Sequence, residues 1–185
     1  MNVYLDTSSE DFVLVLFNQE FEVLDFILLE GYKKKVQLIT DQFAILLERN
    51  NLSIQQLDGL YTNIGPGFFT GIRSSLVFFR TLALLNNIKM YVTTSMDILR
   101  LQHPHSNYLW SDAQGNKLYQ YNYEIDSNNY HDKITVVENN GQELTKINFV
   151  RMIDDFETYA KVFKFQETMS IEPLYIKQPQ IGGQK

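Results

Sequence analysis

Asn63–Ser75 reads NIGPGFFTGIRSS, with three glycines and a proline in seven residues between two apolar runs. That composition marks a strand-to-helix turn, a place where exposed N–H groups can hold an anion. A Walker-type loop needs G-x-x-x-x-G-K-[ST], because the lysine must reach the outer phosphates. Here Gly71 is followed by Ile72 and Arg73, so that motif fails. A dinucleotide loop needs G-x-G-x-x-G; Gly65 and Gly67 fit, but the third glycine falls one residue late, at Gly71. Two readings remain. Either the turn set by Pro66 presents an anion site, or its glycines let a helix pack tightly on a strand.

Working outward, the pattern places strands and helices around this turn. Val3–Asp6 is a short strand that stops at the polar Thr7-Ser8-Ser9-Glu10. Phe12–Phe17 (FVLVLF) is apolar throughout, as a strand buried on both faces is. Asn18-Gln19-Glu20 turns the chain into a second strand ending at Gly31, which makes a hairpin. From Lys33 to Asn50 the period changes: Val36, Ile39, Phe43, Leu46 and Leu47 form one helical stripe. Ser53 caps a short turn, Leu57–Ile64 is a strand, Phe68–Leu85 a helix, and Met90–Thr94 another strand. Ser95 is the expected N-cap for a helix over Met96–Leu101. Three strands, helix, strand, helix, strand is the order of a mixed sheet with an antiparallel start.

Gln102–Ser106 (QHPHS) reads as a linker, dividing the chain into lobes at 1–101 and 102–185. The second part is richer in Asn and Tyr. Strands are expected at Tyr108–Ser111, Lys117–Glu124 and Lys133–Glu138, with a helix over Arg151–Ala160.

The bulk numbers narrow the function. A net charge of −6 leaves no broad cationic surface for nucleic acid, so any RNA contact is expected through a partner. The absence of cysteine excludes thiolate chemistry and disulfides. No basic-then-apolar leader opens the sequence, and no apolar run approaches the roughly 20 residues of a membrane span. A soluble cytoplasmic protein is the expectation.

The second helix carries more apolar surface than one face needs. Phe68, Phe69, Ile72, Leu76, Phe79, Leu82 and Ala83 make a broad core face at roughly 100° per residue. Val77 and Leu84 lie on the far side with Arg73 and Arg80, and Phe78 and Leu85 form a flank. On the first helix, Leu38 and Ile45 oppose the core stripe. Two such strips suggest a helix–helix interface with another subunit, unless the second lobe covers them.

Catalytic sets are missing. His103 and His105 flank a proline in the linker, His131 is isolated, and neither H-E-x-x-H nor G-x-S-x-G occurs. Asp6, beside Thr7 at a strand end, is the best-placed carboxylate for a nucleotide-bound cation; the alternative is that it forms a turn. No metal site and no cofactor are expected.

VYLDTSS near the N-terminus, GPGFFTGIR at the central turn and EPLYIK near the C-terminus resemble the TsaB (YeaZ) family. Its members typically show an I-D-T-S strand end, G-P-G-S-F-T-G-[LIV]-R and a late P-x-Y-[LIV]-[RK]. The family loop corresponds to Gly65, Pro66, Gly67, Thr70 and Gly71. The usual serine is Phe68 here, and the usual R-I-G is Arg73-Ser74-Ser75. LWSDAQGNKLYQYNYE resembles the family's D-A-R-x-x-E-V-Y segment, with Gln114 for the arginine and Lys117 for the glutamate.

The resemblance implies an α/β, two-lobed, actin-like (ASKHA, ribonuclease H-like) fold with a shortened second lobe. It implies a non-catalytic subunit in bacterial synthesis of threonylcarbamoyladenosine at tRNA position 37. Such a subunit pairs with the transferase TsaD through its first two helices and helps recruit the ATPase TsaE. The implied interface comprises Leu38, Asp41, Gln42 and Ile45 with Phe69, Arg73, Val77, Arg80 and Leu84. A homodimer of the isolated chain is the competing use of that face. The functional alternative is an ATP-binding phosphotransferase of the same superfamily, which needs a second glycine-rich loop. The only late glycine pair, Gly182-Gly183, reads as a frayed tail. A metallopeptidase, the third reading, lacks histidines at ligand spacing.

Overall fold

The computed structural model of the chain describes residues 1–32 and 35–177. Six strands form one sheet in the order β3-β2-β1-β4-β5-β9. These are β1 (Asn2–Asp6), β2 (Phe12–Phe17), β3 (Val23–Leu29), β4 (Gly59–Asn63), β5 (Lys89–Thr93) and β9 (Lys164–Gln166). The hairpin strands run antiparallel, β1, β4 and β5 run parallel, and β9 closes the edge antiparallel to β5. A second sheet is an antiparallel meander of β6 (Tyr108–Asp112), β7 (Lys117–Asn122) and β8 (Ile134–Glu138). The expected strand and helix order through residue 101 is the one found, and the mixed α/β architecture agrees with a two-lobed ASKHA-type fold.

The all-apolar β2 is explained by burial on both faces. Its even positions, Phe12, Leu14 and Leu16, join Val3, Leu5, Leu60, Met90 and Val92 under the long helices. These helices are α1 (Lys35–Arg49) and α2 (Phe69–Asn86), which pack side by side. The odd positions Val13, Val15 and Phe17, with Tyr4 and Tyr61, form a second core on the other face. Strand periodicity of two sends alternate side chains to opposite faces, so covering both removes any polar alternation. The second core is covered by Ile98 of α3 (Ser95–Gln102), by α5 (Phe149–Asp154), by α6 (Phe156–Ala160) and by Phe163. A third, smaller core joins Met96 and Leu99 of α3 to Leu109, Tyr121 and Ile134 of the meander. Residues after 101 therefore contribute to both sheets. A one-turn α4 (Tyr130–Lys133) and 3-10 turns at Ile54–Gln56 and Thr168–Ser170 complete the described elements.

Local signals fared unevenly. Thr94, not Ser95, caps α3: its hydroxyl accepts from the Asp97 amide at 3.1 Å, while the Ser95 amide donates to Gly65 O. The single helix expected over Arg151–Ala160 is two, broken at Asp155 where φ is −135° and ψ is 48°. The Gly182-Gly183 pair and the Val36 side chain lie outside the described residues. No helix among the described residues is long and apolar enough to cross a membrane.

Candidate functional site

The glycine turn is built against the β1–β2 turn. The Phe68 amide, at the N-cap of α2, donates to Ser8 O at 2.6 Å, and Thr7 Oγ1 donates to Gly71 O at 2.8 Å. A Cβ on Gly67 would overlap the Ser8 carbonyl oxygen, and one on Gly71 would overlap that of Thr7. Both glycines therefore serve close backbone approach. Gly65 holds φ at 101° before a cis Gly65-Pro66 bond, and its amide donates to Asn63 Oδ1 at 2.8 Å. The Ser8 and Thr7 carbonyl oxygens thus back onto Gly67 and Gly71 at the start of α2. An anion there would meet their negative ends rather than a cradle of N–H groups. Thr70 is exposed on the first turn of α2, where its carbonyl accepts from Ser74 Oγ at 2.8 Å.

Asp6 is buried behind this turn, and both its oxygens are engaged. Oδ1 accepts from the Ser8 amide at 2.7 Å; Oδ2 accepts from Tyr4 Oη at 2.5 Å and Asn63 Nδ2 at 3.0 Å. Burial, and then the neighbouring carboxylate, push the Tyr4 phenol well above its ordinary range, so it stays a donor. Asn63 Nδ2 also lies 3.0 Å from Ser8 Oγ and from Ser95 Oγ. One amide side chain therefore links the ends of β1 and β4 to the start of α3. The carboxylate singled out in sequence is the acceptor of a buried network that fixes the turn. Among the described residues, no group of three or more His, Cys, Asp or Glu side chains is placed to hold a metal ion.

The helix surface divides into covered and open parts. Arg80, half-buried, reaches Ile171 O, and Phe69 stacks on Tyr175 at 4.9 Å with the Arg73 guanidinium 6.0 Å over its ring. The EPLYIK segment thus lies along one flank of α2. Lys177 Nζ then donates to Ala113 O at 3.0 Å, which ties that segment to the meander. Leu38 and Phe78 are half-buried against the first core, Phe78 meeting Phe43 edge-on at 5.2 Å. Gln42 is half-buried and Asp41 exposed. Ile45, Val77 and Leu84 remain open, at 44%, 53% and 56% exposure, and Leu85 reaches 76%. The meander does not cover them. Of the nine interface positions expected from sequence, all lie on these two packed helices, but Arg80, Phe69 and Leu38 already have neighbours within the chain.

A cleft of about 180 Å³ separates the two sheets. Ser8, Gly67 and Phe68 line one side, Ser111 and Asp112 another, and Leu144–Ile147 a third. Phe68, where a serine is usual in the resembling family, turns part of this wall apolar. Nothing in the local sequence pattern marks residues 144–147, since their place depends on contacts across the chain.

Residues 32–171 match the family described as TsaD, tRNA N6-adenosine threonylcarbamoyltransferase. No curated protein matches the chain in sequence. Among solved structures, a Pseudomonas aeruginosa protein described as uncharacterized with similarity to peptidase YEAZ is similar at a TM-score of 0.66 and 15% identity, over 95% of this chain and 99% of that one. YeaZ from Pseudomonas aeruginosa is similar at a TM-score of 0.64 and 15% identity, over 94% and 98% of the two chains.

Proposed function

The chain belongs to the TsaD-type family, with the sequence motifs and the fold of its TsaB (YeaZ) members, and from that premise we propose that it is a non-catalytic subunit that pairs with TsaD in threonylcarbamoyladenosine synthesis. The observation that carries the reading is the open apolar strip of Ile45, Val77, Leu84 and Leu85 on two helices already packed together. Exposed apolar side chains on two adjoining helices favour a protein partner. The engaged state of Asp6 and the carbonyl-backed start of α2 favour this reading over the phosphotransferase. Recruitment of TsaE rests on the family resemblance. With a net charge of −6, contact with tRNA would run through the complex.

The test is co-purification with TsaD from the same cell, read by size-exclusion chromatography with light scattering. A one-to-one complex supports the reading, and added TsaE should then co-elute with the pair. Absence of any complex, with ATP turnover by the isolated chain, would restore the phosphotransferase instead.

A further inference from the structure

Residues 139–148 run without regular structure from the end of β8 to the start of α5. The middle of this strap, Leu144–Ile147, forms one wall of the interlobe cleft. It is tied on both sides. The Thr145 amide donates to Trp110 O on β6 at 2.6 Å, and Lys146 Nζ donates to Glu10 Oε1 in the β1–β2 turn. Asp11, from that same turn, and Asp112, from the end of β6, line the cleft beside them.

Lys146 pairs with Glu10, and two further carboxylates, Asp11 and Asp112, line the same cleft. The hydrogen bond to Glu10 and that carboxylate's charge raise the Lys146 pKa most, with Asp11 and Asp112 adding to it. Removing the ammonium leaves Glu10, Asp11 and Asp112 lining one cleft without that countercharge. The strap has modest apolar adhesion to oppose this: Ile147 packs between the second and third cores, but Leu144 is 41% exposed. We propose that Lys146 is an electrostatic latch that holds the strap across the cleft. An exposed ion pair contributes little to global stability. Local opening of one strap is a far smaller event than unfolding, so a small contribution is enough to govern it. The latch also has an address: its carboxylate partners sit two and three residues beyond Ser8, which receives the Phe68 amide of α2.

Trp110 is the chain's single tryptophan, and its carbonyl receives the strap, so it reports on docking. The full chain and its Lys146→Ala and Lys146→Glu variants are compared by hydrogen exchange at the Thr145 amide and by acrylamide quenching of Trp110. Circular dichroism and melting confirm that the fold is retained. Exchange at Thr145 should rise about threefold or more in Lys146→Ala, and further in Lys146→Glu, with quenching increasing in parallel. Raising salt to about 1 M shortens the screening length to roughly 3 Å and should bring wild type toward Lys146→Ala. Exchange and quenching in Lys146→Glu equal to wild type at low salt would overturn the latch. Should that variant fail to fold, the wild-type salt series decides: no acceleration at Thr145 between low and high salt overturns it equally.

Discussion

The carbonyl oxygen of Ser8 lies 2.6 Å from the amide of Phe68, so the first turn of α2 is bonded to the backbone that follows β1. One backbone contact, sixty residues apart in sequence, sets the role of the glycine turn. It orients a helix whose outer face carries Val77 and Leu84, and it takes the Phe68 amide out of any phosphate cradle.

Gly71→Ala tests that contact. In an ordinary helix interior the change would stabilise by about 1 kcal/mol. Here the added methyl meets the Thr7 carbonyl oxygen, a backbone atom that cannot rotate away. Overpacking of this kind costs about 1–3 kcal/mol, and it should win. We expect a net loss of about 1 kcal/mol by urea denaturation, against less than about 0.5 kcal/mol for exposed Thr81→Ala on the same helix. A stabilised Gly71→Ala would mean that the close approach is wrong.

Val77→Asp and Leu38→Asp should behave differently. Val77 is 53% exposed, so its variant should fold with a stability within about 0.5 kcal/mol of wild type while losing TsaD. Leu38 packs against the first core, so its variant should lose about 1–3 kcal/mol before any partner is added. Chemical denaturation of the isolated variants, followed by co-purification, separates the two effects. Equal stabilities for the pair would contradict the division of this surface.

Alkaline pH should unfold the protein cooperatively. Burial raises Tyr61 to about 12 and pushes Tyr4, Tyr121, Tyr123 and Tyr130 well above their ordinary range, while unfolded tyrosines titrate at about 10. The folded state therefore binds more protons above pH ~10, and stability falls as pH rises through that range. Below it these groups contribute no slope. Phenolate absorbance and circular dichroism should change together; buried tyrosines that ionise before the fold is lost would refute this.

The parts of the fold written in local period were legible. Phe12–Phe17 announced a two-sided strand, and the stripes of α1 and α2 announced both helices and their leftover apolar residues. β9 was not legible: Lys164-Phe165-Gln166 is three residues long, mostly exposed, and owes its pairing to Tyr91 and its neighbours. The break at Asp155 is equally silent, because both halves of that segment keep the apolar spacing of one helix. Within the site, Gly65, Gly67 and Gly71 were visible as residues, but the object they approach was not. The partners of Asp6 come from β4 and from Tyr4 two residues back, and no spacing rule predicts a carboxylate saturated by an amide and a phenol. Lys146 carried no signal at all, since a lone lysine in a polar stretch reads as a solvated side chain.

The arrival of β9 and of helices α5 and α6 from beyond residue 148 bears on how the polypeptide matures as it leaves the ribosome. Tyr4, Val13, Val15 and Phe17 are made more than a hundred residues before the larger part of their cover, from Phe149 to Phe163. The nascent hairpin and parallel strands can gather α1 and α2 at once, drying one side of the sheet. The other side waits, wet and apolar, until residues 149–163 have been translated. Over that interval the growing chain presents an aromatic surface to chaperones and to its neighbours on the polysome.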